Sequence, residues 1–165
     1  MNSPNRWTPR ELAAFFAAVG GTRLEGAWHL AGGGLRIGEL LALRWSDVDL
    51  TGRCVVVRNA VFGVPYTSIA PSPISPRGRW VGLDADLVAA LAKHRARQEA
   101  EQTEFGSEYS SHELAVCRED GRPIHPRSLS RTFAALVARA GLPPIELAAI
   151  RQVGPAPSIR AGTPT

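Results

Sequence analysis

Hydrophobic period changes twice along this chain, near residue 50 and again near residue 84, and the two changes decide its class. Before the first, Leu12, Phe15, Phe16 and Val19 fall at i, i+3, i+4 and i+7, one face of a helix. Thr8, Pro9 and Glu11 supply an N-cap, a first helical residue and a capping box, and Gly20-Gly21 stops the helix. "LEGAWHLA" predicts a second short helix. Gly32 to Gly34 break the chain before a third, on which Ile37, Leu40 and Leu41 share a face. Between the two changes, "RCVVVRNAVFGV", "YTSIAPS" and "RGRWVGLD" read as strands of a small antiparallel sheet between residues 53 and 83, with an irregular hairpin tip at 72–78 set by Pro71, Pro73 and Pro76. After the second, Asp84 caps a helix with Leu87, Val88 and Leu91 on its apolar face, running into the polar "KHRARQEAEQ". "TEFGSEYSSH" reads as a loop and "LAVCREDGRPI" as an extended segment turning at Asp120-Gly121. "PRSLSRTFAALVARAG" is a last helix, with Leu129, Phe133, Leu136, Val137 and Ala140 in register and Gly141 as its stop. The expectation is an α+β fold, mainly helical around a three-stranded antiparallel sheet, with one domain over 1–150 and a disordered tail over 151–165.

Charge narrows the partners. Nineteen basic against fifteen acidic side chains leave a net charge of +4, and every basic side chain except Lys93 is an arginine. Arginine's planar fork matches phosphate oxygens in a way an ammonium does not, so nucleic acid is the expected partner. A codon bias toward Arg, Ala and Gly gives the same composition with no function attached. Cys54 and Cys117 lie far apart with no His or Cys at metal spacing, which predicts free thiols, a reducing compartment and no metal. "MNSPNRWTPREL" is not a signal peptide, and no apolar run reaches the roughly eighteen residues of a membrane span, so a cytoplasmic protein without a membrane partner is expected.

One stretch concentrates the chemistry. In "GLRIGELLALRWSDVDL", residues 34–50, Arg36 stands at the entry turn of a helix with Glu39 three residues on, where their side chains can meet. This stretch resembles the first signature box of the tyrosine-recombinase, or phage-integrase, family. The order that follows is also similar to that family's catalytic domain: a three-stranded sheet, "LDADLVAALAKHRARQ", "REDGRPIHPRSLSRTFAALVARAGLP" and "IELAAIRQ". The resemblance spans Trp7 to Ile150.

Membership of that family implies that a tyrosine hydroxyl attacks a DNA phosphodiester and forms a 3′-phosphotyrosyl intermediate, with no metal, cofactor or small-molecule substrate. The charge gathering on the phosphoryl oxygens is stabilised by fixed guanidinium donors. By the resemblance Arg36 is the first catalytic arginine, Glu39 supports it, and Arg151 is the second. The other reading of Arg36 is a surface ion pair with Glu39 or Asp47. Tight glycines at 32–34 bring the helix start toward the phosphate, where backbone N–H groups also favour an anion.

The remainder departs from the family's pattern. Ile74 stands where the hairpin lysine is expected; Arg77 and Arg79 are candidate phosphate contacts there, although an arginine is a poor general acid. Ala148 and Gln152 occupy the two histidine positions around Arg151. His125 is a further candidate phosphate contact, with a turn or cap role as its alternative. The two tyrosines, Tyr66 and Tyr109, both precede Arg151, whereas the family's nucleophile follows it, so no nucleophile is assigned. The arm-and-core DNA-binding region that usually precedes this domain is not read before residue 8. The expected function is that of a truncated tyrosine-recombinase catalytic domain which binds DNA and is inactive alone; an intact recombinase protomer is a candidate partner, because some members take the tyrosine from a neighbour. A noncatalytic DNA-binding or partner-docking module and a decayed gene product are the alternatives. Without the family's later helices, Leu136, Val137 and the sheet face are expected to be partly exposed.

Overall fold

A computed structural model of the chain describes residues 6–61, 72–73, 78–153 and 159–160. Three helices come first: α1 (Pro9–Val19), α2 (Glu25–Gly32) and α3 (Ile37–Ala42). The α1 capping box forms as the sequence predicts: the Glu11 N–H donates to Thr8 Oγ1 at 3.2 Å, and the Thr8 N–H donates to Glu11 Oε2 at 2.7 Å. Strands β1 (Val48–Asp49), β2 (Cys54–Val57), β3 (Asn59–Ala60), β4 (Ser72–Pro73) and β5 (Arg79–Gly82) follow. Two long helices, α4 (Ala85–Phe105) and α5 (Pro126–Arg139), then precede a 3-10 turn at Leu147–Gln152 and the strand β6 (Ile159–Arg160).

The main sheet runs β1-β2-β5-β6 with every pair antiparallel, and Val55 faces Val81 while Val57 faces Arg79 across β2 and β5. β3 and β4 form a separate ladder in which Ala60 meets Ser72. The fold class is the one expected, a small antiparallel sheet among helices. Its edges differ. The outer strand β1 falls within "DVDL", and β6 pairs with Trp80 and Val81 from within the segment read as a featureless tail. Of "YTSIAPS", the middle strand expected from sequence, the described residues include Ser72 alone.

An aromatic cluster joins the ends of the chain. Phe15 meets Phe133 at 5.2 Å between ring centroids, Trp7 meets Phe15 at 5.4 Å, and Trp28 meets Phe133 at 5.8 Å. The Trp7 indole N–H donates to the Pro143 carbonyl at 2.7 Å, which ties the start of the chain to the segment after α5. Leu147 and Ile150, both buried, set the last 3-10 turn against α2 and α5. This corrects the expectation of an uncovered core for Val137, Val55, Val57 and Val81, which are buried, whereas Leu136 is half-buried and so partly exposed as expected. Helices α1 and α3 and the turn 147–152 pack on α5 and cover the face thought bare.

Helix α4 is longer and less solvated than its sequence suggests. It continues through Phe105 into what reads as loop, held near its end by Arg23, whose Nε donates to Glu101 Oε2 at 2.6 Å and whose Nη1 donates to the Cys117 carbonyl at 2.8 Å. His94 and Gln98, in the stretch read as polar surface, are buried. The segment 114–117 lies across them: His94 Nε2 is 2.6 Å from the Ala115 carbonyl oxygen, and Gln98 Nε2 donates to the Leu114 carbonyl at 2.9 Å and to Cys117 Sγ at 2.7 Å. Among the described residues no helix is long and apolar enough to cross a membrane. Both cysteines are free, Cys117 buried and Cys54 half-buried.

Candidate nucleic-acid interface

The entry to α3 is built on glycine for packing reasons. Gly32 abuts Phe16, whose ring tip would lie 2.7 Å from a Cβ there, and Gly34 turns the chain at φ +116°. Leu35 is then buried, and Arg36 follows in extended conformation as the N-cap residue of α3, with its side chain exposed. At Gly38 the helix lies directly on the chain leaving β3: the Val61 N–H donates to the Gly38 carbonyl at 2.9 Å, and a Cβ on Gly38 would stand 2.6 Å from the Val61 carbonyl oxygen. The glycines thus set the position of Arg36 by close approach of backbone. In this short helix of 6 residues the Glu39 carboxylate accepts the N–H of the cap residue Arg36 at 2.9 Å.

Charge around this turn is distributed unevenly. Glu39 is buried, and its Oε1 also accepts from Arg79 Nη2 at 2.5 Å. Asp47 pairs with Arg58, with Arg58 Nε 3.4 Å from Asp47 Oδ1, and accepts the Arg44 N–H at 3.3 Å. The two carboxylates that the sequence offers as surface partners of Arg36 are therefore engaged by other arginines. Among the described residues no acidic side chain pairs with the Arg36 guanidinium.

The expected meeting of Arg36 and Glu39 side chains is thus replaced by a backbone contact plus a partner forty residues away. That partner had one signal in the sequence. Arg79 precedes Val81 by two, so strand alternation puts both on the face where Val55 and Val57 are buried, and an arginine on such a face calls for an internal acid.

The other candidates are placed as follows. Arg151 is half-buried in the turn Leu147–Gln152, fixed by its buried neighbours Leu147 and Ile150. His125 is the N-cap of α5, its Nδ1 accepting the Arg127 N–H at 3.1 Å, which is the capping alternative read from sequence. Arg77, Tyr66 and the hairpin position Ile74 lie outside the described residues. Lys93 is exposed on α4. Tyr109 follows α4, with its hydroxyl 3.8 Å from Cys117 Sγ; burial, and then the neighbouring thiol, push its pKa up to about 12. A hydroxyl held that far from ionisation and turned to a thiol is poorly suited to attack phosphorus. Among the described residues no three metal-ligating side chains come together.

Comparison with known proteins agrees with this architecture. No protein-family model matches the chain. A protein described as tyrosine recombinase XerC-like, from Caldanaerobacter subterraneus subsp. tengcongensis, is 29% identical over 172 aligned residues, which cover 96% of this chain and 44% of that protein. The chain therefore spans less than half the length of the curated relative it matches. Among solved structures, the Tn1549 transposon integrase in complex with transposon right end DNA superposes with a TM-score of 0.75 at 16% identity, over 93% of this chain and 52% of that one. The XerA recombinase gives 0.71 at 19% identity over 92% and 48%. The lambda integrase catalytic core gives 0.56 at 19% identity over 90% of this chain and 83% of that core.

Proposed function

We propose that this chain, a tyrosine-recombinase homologue with the catalytic-domain fold of that family, holds a DNA phosphate with Arg36 in the service of site-specific recombination, and that these 165 residues alone do not cut the strand. One observation carries the reading: Arg36 is exposed at a rigidly packed entry turn while Glu39 and Asp47 are engaged by Arg79 and Arg58. A guanidinium without an internal counterion offers its whole donor fork to a phosphate, and the packing beneath it fixes where that fork points.

In this reading Arg36 is the first phosphate clamp, Glu39 holds its backbone, and Arg151 is the second clamp. His125 and Arg77 are further phosphate contacts. DNA is the partner, the cytoplasm is where the two meet, and an intact recombinase protomer is the source of a tyrosine. Two arginines stabilise charge in a transition state only if a nucleophile generates it, and neither Tyr66 nor Tyr109 follows Arg151 as the family's order requires.

A duplex suicide substrate nicked near the scissile phosphate tests the proposal, because it accumulates any covalent 3′-phosphotyrosyl adduct as a denaturant-stable band. The expected result is no adduct with this chain alone, and reversible DNA binding of roughly 10⁻⁴ to 10⁻⁶ M that weakens as salt rises. An adduct abolished by Tyr66→Phe or Tyr109→Phe would overturn the first half. Binding that ignores both salt and the Arg36→Ala change would overturn the second.

A further inference from the structure

Arg79 has a second possible use, and the geometry separates it from the first. By sequence it is a hairpin arginine facing phosphate; in the structure its Nη2 lies 2.5 Å from Glu39 Oε1, on a carboxylate that is 6% exposed. The same Oε1 accepts the Arg36 N–H. A buried carboxylate needs an internal cation or full hydrogen bonding, and the basic groups on hand are Arg79 and Arg36 itself. Whichever guanidinium neutralises Glu39 is withdrawn from DNA.

We propose that Arg79 is a positioning residue: by neutralising Glu39 it leaves the Arg36 guanidinium free for phosphate and locks the start of β5 to the α3 entry. The register supports the lock. Arg79 faces Val57 across the β2–β5 ladder, and β3 begins at Asn59, two residues further on. The chain then passes to Val61, whose N–H grips the Gly38 carbonyl. Two separate links, one ionic through Arg79 and Glu39 and one backbone through Val61 and Gly38, thus clamp the turn bearing Arg36 onto the sheet. Remove Arg79, and the buried Glu39 carboxylate, which already holds the Arg36 N–H, draws on the guanidinium of that same residue for charge; the clamp residue becomes a counterion.

This inference rests on Arg36 as the phosphate ligand, and a double-mutant test keeps the two claims apart. Affinity for a short DNA duplex and its salt dependence are measured for Arg36→Ala, Arg79→Met, Glu39→Gln, the pair Arg79→Met with Glu39→Gln and the pair Arg36→Ala with Arg79→Met, with thermal melts on each. Arg79→Met should weaken binding as much as Arg36→Ala does, and should add nothing in the Arg36→Ala background. The pair, which removes the buried charge together with its partner, should bind more tightly than Arg79→Met alone and keep the parent's salt slope. A phosphate contact of Arg79 itself predicts instead that the pair loses about 0.9 from the slope of log K against log salt, and that result overturns the inference. The pair decides the matter even if Arg79→Met alone does not fold, since no unpaired charge is buried in it. Loss of effect at Arg36→Ala would instead overturn the phosphate-clamp reading on which the inference stands.

Discussion

Two polar clusters on this molecule treat charge in opposite ways. Around the second half of α4, polar groups close on one another: Arg23 on Glu101 and the Cys117 carbonyl, Trp45 Nε1 on the Gln98 side-chain oxygen, Gln98 on Leu114 and Cys117, and His94 on Ala115. The exception is the buried His94 Nδ1, which has no partner among the described residues. At the α3 entry the pattern is left open. Arg79 and the Arg36 N–H saturate Glu39, and the Arg36 guanidinium faces outward. A tether satisfies its polar groups internally, because a buried unpaired donor costs about 1–3 kcal/mol. A binding site keeps one strong donor unsatisfied until its ligand arrives. The contrast predicts that substitutions in the first cluster change stability and leave DNA binding alone, and that truncating the exposed guanidinium at the open end does the reverse.

The largest expected effect tests the open end through its foundation. Gly38→Ala sets a Cβ 2.6 Å from the Val61 carbonyl oxygen, a backbone atom that cannot rotate away. Either the helix entry or the chain at 61 must shift. The expectation is a loss near the upper end of the about 1–3 kcal/mol typical of overpacking, together with binding reduced to the level of Arg36→Ala. A variant that melts lower yet binds DNA normally would show that the position of Arg36 does not depend on this contact.

How much of this contrast was legible beforehand depends on the range of the interactions. Caps and periodicity act within one or two turns, so Thr8–Glu11, Asp84 and the faces carrying Phe15, Leu91 and Phe133 could be read from residues alone. The glycine break and the place of Arg36 at an entry turn were equally local. What could not be read spans the chain. Arg79 is forty residues from Glu39, and Arg23 is seventy-eight from Glu101. His94 and Gln98 sit in a run of charged residues and look solvated; their burial is imposed by the segment 114–117, which no helical periodicity within α4 anticipates. The strand alternation at Arg79 and Val81 was the one overlooked clue.

In the closed cluster the strongest expected effect follows from Glu101→Ala. Arg23 and Glu101 are 26% and 15% exposed, and their contact is double, with Arg23 Nη2 also donating to Glu101 Oε1 at 3.1 Å. Partial solvent access screens the pair, so the loss should be about 1–2 kcal/mol by denaturant titration. DNA affinity should be unchanged. A drop in affinity without a drop in stability would erase the distinction between the two clusters.

His94 gives a smaller, pH-dependent effect. Burial depresses its pKa below the ordinary 6.5, with Arg23 and Arg97 adding to the depression and the Ala115 hydrogen bond and Glu101 opposing it. The unfolded chain therefore takes up a proton first as pH falls, so the stability contributed by neutral His94 is complete above about 6.5 and is lost progressively below it. His29, stacked on Phe16 at 4.1 Å, is depressed in the same direction by burial, which outweighs the opposing pull of Glu25, Asp84 and Asp86. Melting temperature should fall between about pH 7 and pH 5, and His94→Gln should flatten part of that slope while His29 retains the rest. A slope unaffected by His94→Gln would place the pH sensitivity elsewhere.

The smallest expected effect on stability belongs to the residue that matters most for binding. The Arg36 side chain is exposed and has no acidic partner among the described residues, and the hydrogen bond it does make, to Glu39, comes from its backbone N–H and survives truncation. Arg36 is the N-cap residue of α3 but its side chain makes no capping hydrogen bond, so Arg36→Ala should change folding free energy by no more than about 0.5 kcal/mol, as exposed substitutions outside the core do. Binding should respond differently: one phosphate contact fewer lowers the slope of log K against log salt by about 0.9. The loss of affinity should be modest and independent of DNA sequence, since phosphate contacts carry no base information and other arginines share the backbone. A melt and a salt titration on this one variant thus separate the two regions. Large destabilisation would mean that the Arg36 guanidinium is bound internally after all, and the α3 entry would then be a second tether.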